Sequence, residues 1–397
     1  MIMEAKENQY TGEDQHKDEP IEAGDGTEKE LNDETVELME KPFDPTLIKI
    51  ETKTPSLDTL IKRIDRSSIQ MNTENYFQRQ ADLWDKTKQS RLLESILIRF
   101  PLPAFFFDSS DDDNWLVVDG LQRLSSIRNF VVNKSLKLRN LEFLTHLNDK
   151  GWDELPENLQ RVIEEAQVVI YKIMPGTPTD VKFNIFKRIN TGGLILEPQE
   201  IRHALFQGKP ATFVAKLAQT DAFIMATDGK IKTHRMLDRD FANRFLGFYL
   251  LGVENYGTKE YGQDLDTYMS KAMAAINNKS DDQLTEIISA FSEAMELAKS
   301  IFDKEAFRKV HRDYIRLPPI NKALFDALST QFALLTEEEK IRIRQNKAEF
   351  KRRLRSLIAE DDYFFTSITS STGDKRRVTY RHSSIKDLIQ DVITNRI

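Results

Sequence analysis

The stretch "NWLVVDGLQRLSSIRNF", residues 114–130, decides how the chain folds. Trp115 to Val118 is an apolar run short enough for a buried strand. Asp119-Gly120 ends it. Apolar residues then recur at 121, 124, 127, 130 and 131, the stripe of a helix packed along one face. A strand that hands over to a helix through a glycine belongs to a mixed α/β layer. The first turn of that helix carries Gln122 and Arg123. A helix start leaves N–H groups unpaired and partly positive, and a glycine lets backbone approach a phosphate closely. Arg123 can fork onto phosphate oxygens. Gln122 can hold a hydroxyl, a base edge or an attacking water, and Asp119 a metal ion or a ribose hydroxyl. A structural reading fits too, because Asp119 with Gln122 three residues on is close to a D-x-x-Q capping box.

Upstream, "SLDTLIKRI" has apolar residues at 57, 60, 61 and 64, and "KQSRLLESILIRF" at 92, 93, 96, 97 and 100, both amphipathic helices. "PLPAFFFD" reads as a buried strand, "DSSDDDN" as a loop and "AQVVIYKIM" as a third strand. "TDVKFNIFKRIN" reads as a helix ended by "TGG", where glycine suits the left-handed position. After Glu197 the pattern is helical, with stripes at about 211–219, 238–254, 264–277, 283–302, 319–334, 337–358 and 384–394. "YFFTSITSSTGDKRRVTYRHSS" reads as an interrupting loop with a basic cluster. The expected class is α+β: an α/β domain over 46–207, then a mostly helical domain over 208–397.

Residues 1–45 carry 15 acidic and 4 basic residues, so this segment accounts for more than the whole net charge of −7. Acidic and without apolar period, it reads as a disordered tail, either a solvating one or an autoinhibitory, nucleic-acid-mimicking arm. Zero cysteines exclude disulfides and thiolate metal sites and fit a cytoplasmic protein. The six histidines, at 16, 146, 203, 234, 311 and 382, show no close ligand spacing. No run approaches the ~18–20 apolar residues of a membrane span, and "MIMEAKENQYTGED" lacks the pattern of a signal peptide.

"VVDGLQRLSSI" resembles the DGQQR motif of the GmrSD-type restriction endonuclease N-terminal family, which is similar to the ParB/sulfiredoxin superfamily. "YFQRQADLWD", upstream of it, resembles that family's Y-Q-R…W segment, with Gln78, Arg79 and Trp84. "KQSRLLESILIRFPLPAFFF" resembles the helix and strand that follow, with Glu94 on the helix. "FKRINTGGLILEPQEIRHALF" resembles another segment, with Arg188, Asn190, Gly193, Glu200 and Arg202. The resemblance implies a ParB/sulfiredoxin-like nucleotide-binding domain, NTP hydrolysis in several members, and work in DNA-targeting restriction or anti-phage defence. Carried over by position, Asp119, Gln122 and Arg123 form the catalytic phosphate site. Gln78, Arg79, Gly120, Arg188 and Asn190 hold the nucleotide, and Asp119 the Mg2+ that a triphosphate brings. One departure stands out: the motif's first glutamine is Leu121 here. The expected function is an NTP-binding and NTP-hydrolysing regulatory protein; leucine neither positions water nor accepts a proton, so if that glutamine takes part in the chemistry of relatives, hydrolysis here is expected to be slow.

Asp108, Asp111, Asp112 and Asp113 offer either a metal site or, as charge runs usually do, a solvated hairpin loop. "RIRQNKAEFKRRLRS" and "GDKRRVTYRH" supply Lys351, Arg352, Arg353, Arg376, Arg377 and Arg381 as candidate contacts to a nucleic-acid backbone. Their structural reading is a solvated basic face. No HNH or D…E-x-K nuclease pattern is evident. The expected partners are therefore a nucleotide, DNA and a separate nuclease subunit. The alternatives are a non-catalytic DNA-binding or adaptor protein with a degenerate site, and a stand-alone endonuclease.

Overall fold

The computed structural model describes residues 27–28, 45–71, 84–189, 196–311 and 316–394, and every structural statement below concerns these. They form two compact units, one within Lys41–Leu205 and one within Phe206–Ile397 that includes Thr27 and Glu28.

The first unit is built on five strands: β1 (Ile50–Lys53), β2 (Ile69–Gln70), β3 (Phe105–Asp108), β4 (Trp115–Asp119) and β5 (Ile170–Ile173), in the order β1-β5-β3-β4-β2. β1 runs antiparallel to β5, β5 parallel to β3, β3 antiparallel to β4, and β4 parallel to β2. Side chains alternate between the two faces, as period two requires. Phe105, Phe107, Trp115, Val117 and Ile170 face one core. It is shared with α1 (Leu57–Asp65), α2 (Lys86–Leu97), α3 (Leu121–Ile127) and α4 (Glu157–Glu165). Leu116, Val118 and Ile173 face a second core, closed by α5 (Thr179–Ile189) and α6 (Pro198–Leu205). Both faces of β4 are covered, which is why "WLVV" is continuously apolar rather than alternating.

The expected helical stripe of α1 is buried at 57, 60, 61 and 64. That of α2 is buried at 92, 93, 96 and 97, but the helix stops first and leaves Phe100 66% exposed. α3 passes into a π-turn over Arg128–Val132, which keeps Phe130 and Val131 in the core. β1 and β2 carry no strong sequence signal. β1 is the polar edge "IETK", with three of its four residues exposed, and β2 is two residues long.

The second unit is helical: α7 (Lys209–Ala218), α8 (Asp221–Ala226), α9 (Leu237–Leu251), α10 (Leu265–Ile276), α11 (Asp281–Phe302), α12 (Lys322–Ala333), α13 (Glu337–Gln345), α14 (Lys347–Glu360), α15 (Asp362–Ser367) and α16 (Lys375–Ile393). Its core is rich in phenylalanine, with Phe223, Phe241, Phe245, Phe291 and Phe325 all buried and in mutual ring contact. Two sequence expectations need correction here. The stripe over 337–358 is two helices broken at Asn346, and the final helix begins at Lys375 rather than near 384. Asp374 caps it by accepting from the backbone N–H of Arg376 and Arg377, so the basic cluster is helical, not a loop.

No described helix is long and apolar enough to cross a membrane.

Candidate nucleotide site

β4 delivers Asp119 to the end of the sheet, and Gly120 turns the chain with φ +100°. That conformation favours glycine, and a Cβ there would lie 2.4 Å from Phe105 Cδ1. Gly120 is the N-cap of α3 and has no side chain to cap it. The D-x-x-Q capping box does not form, because both of its side chains are directed elsewhere. The Asp119 carboxylate accepts from Arg123 Nη2 at 2.7 Å. Gln122 Oε1 accepts from the backbone N–H of Trp84 at 3.2 Å. Gln122 thus ties the motif to the end of the "YFQRQADLW" segment.

Arg123 is 8% exposed. Its fork donates to the carbonyls of Pro103, by Nη1, and Ala104, by Nη2 at 3.0 Å, and its plane lies over the Phe105 ring at 4.4 Å. Burial pulls its pKa below the ordinary value, and the charge and hydrogen bond of Asp119 work against that. Arg123 therefore braces β4 and α3 against the entry to β3. Its hydrogen bonds run to protein groups, the carbonyls of Pro103 and Ala104 and the carboxylate of Asp119. Leu121 is half-buried and packs on the first core.

Arg188 lies in the last turn of α5 and is exposed. Lys182, in the first half of that helix, pairs with Asp108 at the far end of β3. Gln78, Arg79, Asn190 and Gly193 lie outside the described residues. Glu94 is buried and accepts from the N–H groups of Glu142, Phe143 and Leu144 at 2.9, 2.7 and 2.7 Å, an anchor for that loop. In "EPQEIR", Glu200 accepts from Glu197 N and Arg202 donates to Gln199, both side chains buried.

The acidic loop is structural. Asp108 holds Lys182 at 2.8 Å and the N–H of Ser110 at 2.9 Å, while Asp112 accepts from Trp115 Nε1 at 3.3 Å and Lys172 Nζ at 3.4 Å. Among the described residues no group of three metal-ligating side chains exists. Asp119 alone suits Mg2+ only when phosphates and waters complete the shell, as Mg2+ usually requires.

The basic candidates of the helical unit are largely spoken for. Lys351 pairs with Glu305 at 2.8 Å, and Arg352 and Arg353 share Glu349 at 2.7 and 2.6 Å. Arg377 donates to the Ser370 carbonyl at 2.6 Å. Arg381 is fully buried, donating to Thr372 O at 2.6 Å and facing Asp326, so it does not reach a nucleic acid. Arg376 is exposed. Sequence reading missed Asp326, a buried acid that also takes a two-pronged bond from Arg244 at 2.8 and 2.6 Å. Nothing in the local sequence marks it, since its partners are remote along the chain.

The segments that surround Asp119-Gly120 are those of a known family. Residues 57–207 match the family model described as GmrSD restriction endonuclease, N-terminal domain. These residues are a GmrSD-type N-terminal domain. The match covers nearly all of the first unit, and the GmrSD domain carries the Trp84, Glu94, Gly120 and Arg123 contacts just described. No curated protein and no solved structure matches the chain.

Proposed function

We propose that the GmrSD-type domain binds a nucleoside triphosphate with Mg2+ at the Asp119–Gly120 turn, as the regulatory part of a DNA-targeting restriction or defence system. One observation carries this reading. The start of α3 has no side-chain cap, sits on a glycine held in a left-handed conformation, and is fixed from behind by the Arg123 fork. Phosphate oxygens suit such a start, because its amides point outward and carry partial positive charge. Asp119, about one-third exposed, would contribute one carboxylate to Mg2+, whose chemistry is to neutralise phosphate charge. Gln122 and Arg188 would be the side chains to contact the ligand, and Arg123 would position the turn. Leu121 favours slow turnover, and a non-catalytic adaptor would share the same pocket. The helical unit would meet DNA or a nuclease subunit, with the exposed Arg376 as one candidate contact.

The three tryptophans, Trp84, Trp115 and Trp152, all lie in the first unit, so their fluorescence reports its melting alone. A ligand at a hundredfold excess over Kd stabilises by about 2.7 kcal/mol. That shifts Tm by several degrees, at ~2–4 °C per kcal/mol. One of the four NTPs with Mg2+ is expected to raise the tryptophan-detected Tm, and Gln122→Ala to shrink the rise. No shift with any NTP would refute the proposal.

A further inference from the structure

The acidic segment makes a specific contact with the helical unit. Thr27 pairs in parallel with Ile320, which pairs antiparallel with Arg308. The Glu28 N–H donates to the Ile320 carbonyl at 2.9 Å. The Glu28 side chain enters a slot, where one oxygen meets Lys309 Nζ and the other accepts from Asn321 Nδ2 at 2.9 Å. Thr27, Glu28, Lys309 and Asn321 are all buried, which corrects the solvated-tail reading at these two residues.

The slot is built around a charge. Lys309 Nζ also donates to Thr369 Oγ1 at 3.2 Å and lies 4.8 Å from the Phe365 ring centre, and Glu28 is its carboxylate partner. A buried ammonium without a counter-charge is costly. Asn321 is held by other work: its Oδ1 caps α12 at Leu324 N, and its Nδ2 also donates to Ile368 O at 2.6 Å. The acceptor site is thus fixed by the helical unit. The incoming strand supplies an extended backbone and one carboxylate, the pattern of strand addition at a sheet edge.

We propose that Ile320, Lys309 and Asn321 form a recognition slot for an extended peptide bearing a glutamate, filled in cis by Thr27-Glu28 as a releasable latch. Among the described residues Thr27 and Glu28 make the contact, and an acidic peptide of another protein can compete for it. The latch fastens Glu28 beside the turn at Ile368–Thr372, just before α16. This inference does not rest on the nucleotide reading.

The test uses the full-length chain and a fluorescein-labelled synthetic peptide of residues 20–36, read by anisotropy. Glu28→Ala chain is expected to bind the peptide at least ~10-fold tighter than wild-type chain, because the cis occupant is weakened. The same peptide carrying Glu28→Ala is expected to bind neither. Equal binding to both chains, or none to Glu28→Ala chain, would overturn the proposal. Lys309→Met can disturb folding, so hydrogen exchange at the Glu28 amide is followed in the Glu28→Lys/Lys309→Glu double variant. Protection lost in Glu28→Lys and regained in the swap supports the latch; protection unchanged by Glu28→Lys overturns it. A dimer that exchanges residues 27–28 between copies would overturn the cis assignment.

Discussion

Arg123→Met separates a brace from a phosphate clamp. Methionine keeps most of the volume but none of the donors. The Ala104 carbonyl is half-buried and loses a bond from a charged donor, worth about 1.5–3 kcal/mol. Pro103 is exposed, so its carbonyl regains water and counts for little. The partly exposed Asp119 pair adds up to ~1 kcal/mol. The stacking on Phe105 adds up to ~1 kcal/mol more. Some of this is offset because an apolar side chain no longer buries a charge. The net loss should be about 3 kcal/mol. Urea denaturation followed by tryptophan fluorescence measures it, since all three tryptophans report on the first unit. Arg123→Lys should recover less than half, because an ammonium cannot span two carbonyls and a carboxylate as the fork does. A loss under ~1 kcal/mol for Arg123→Met would refute the brace and return Arg123 to the role of ligand clamp.

Asp326→Asn should leave Arg244 and Arg381 buried without their counter-charge. It should destabilise the helical unit by about 3–5 kcal/mol in a circular-dichroism melt while the tryptophan transition stays put. Burial alone raises the Glu94 pKa, but the N–H donors of Leu144, Glu142 and Phe143, with Arg91, outweigh it and hold the folded value below the ordinary carboxylate range. Its contribution is therefore complete above the unfolded pKa of ~4.3 and is lost as pH falls through the folded value. Glu94→Gln should lower the tryptophan-detected stability near neutral pH and flatten its acid limb; parallel acid limbs would contradict this. Leu121→Gln should raise phosphate release from bound NTP by at least ~10-fold if the missing glutamine limits turnover. Unchanged release would place the limit elsewhere.

The parts of the fold that bury a regular face were legible in the sequence. The stripes of α1, α2 and α3 give the core almost residue by residue, because burial imposes their period. β1 and β2 were not legible, since an edge strand of "IETK" and a two-residue strand bury too little to leave a pattern. The break at Asn346 was hidden because both flanking helices keep a helical period. At the candidate site, the turn at Gly120 with its neighbours Asp119, Gln122 and Arg123 was legible, because a strand hands over to a helix there. The role of Arg123 was not, because the carbonyls of Pro103 and Ala104 are backbone atoms that any sequence would present. Arg381 looked like a surface cation beside Arg376 and Arg377, yet a helix turns its neighbours to different faces and Asp326 waits on the inner one. Glu28 was read as one acid among many, because its slot is made by residues close to 300 positions downstream.

The most direct test of the central claim is to photocross-link an azido-NTP to the full-length chain with Mg2+ and map the label by mass spectrometry. The account predicts label on peptides containing residues 119–123, competed by unlabelled nucleotide and reduced in Gln122→Ala. Specific label confined to residues 206–397, or no competable label, would contradict it.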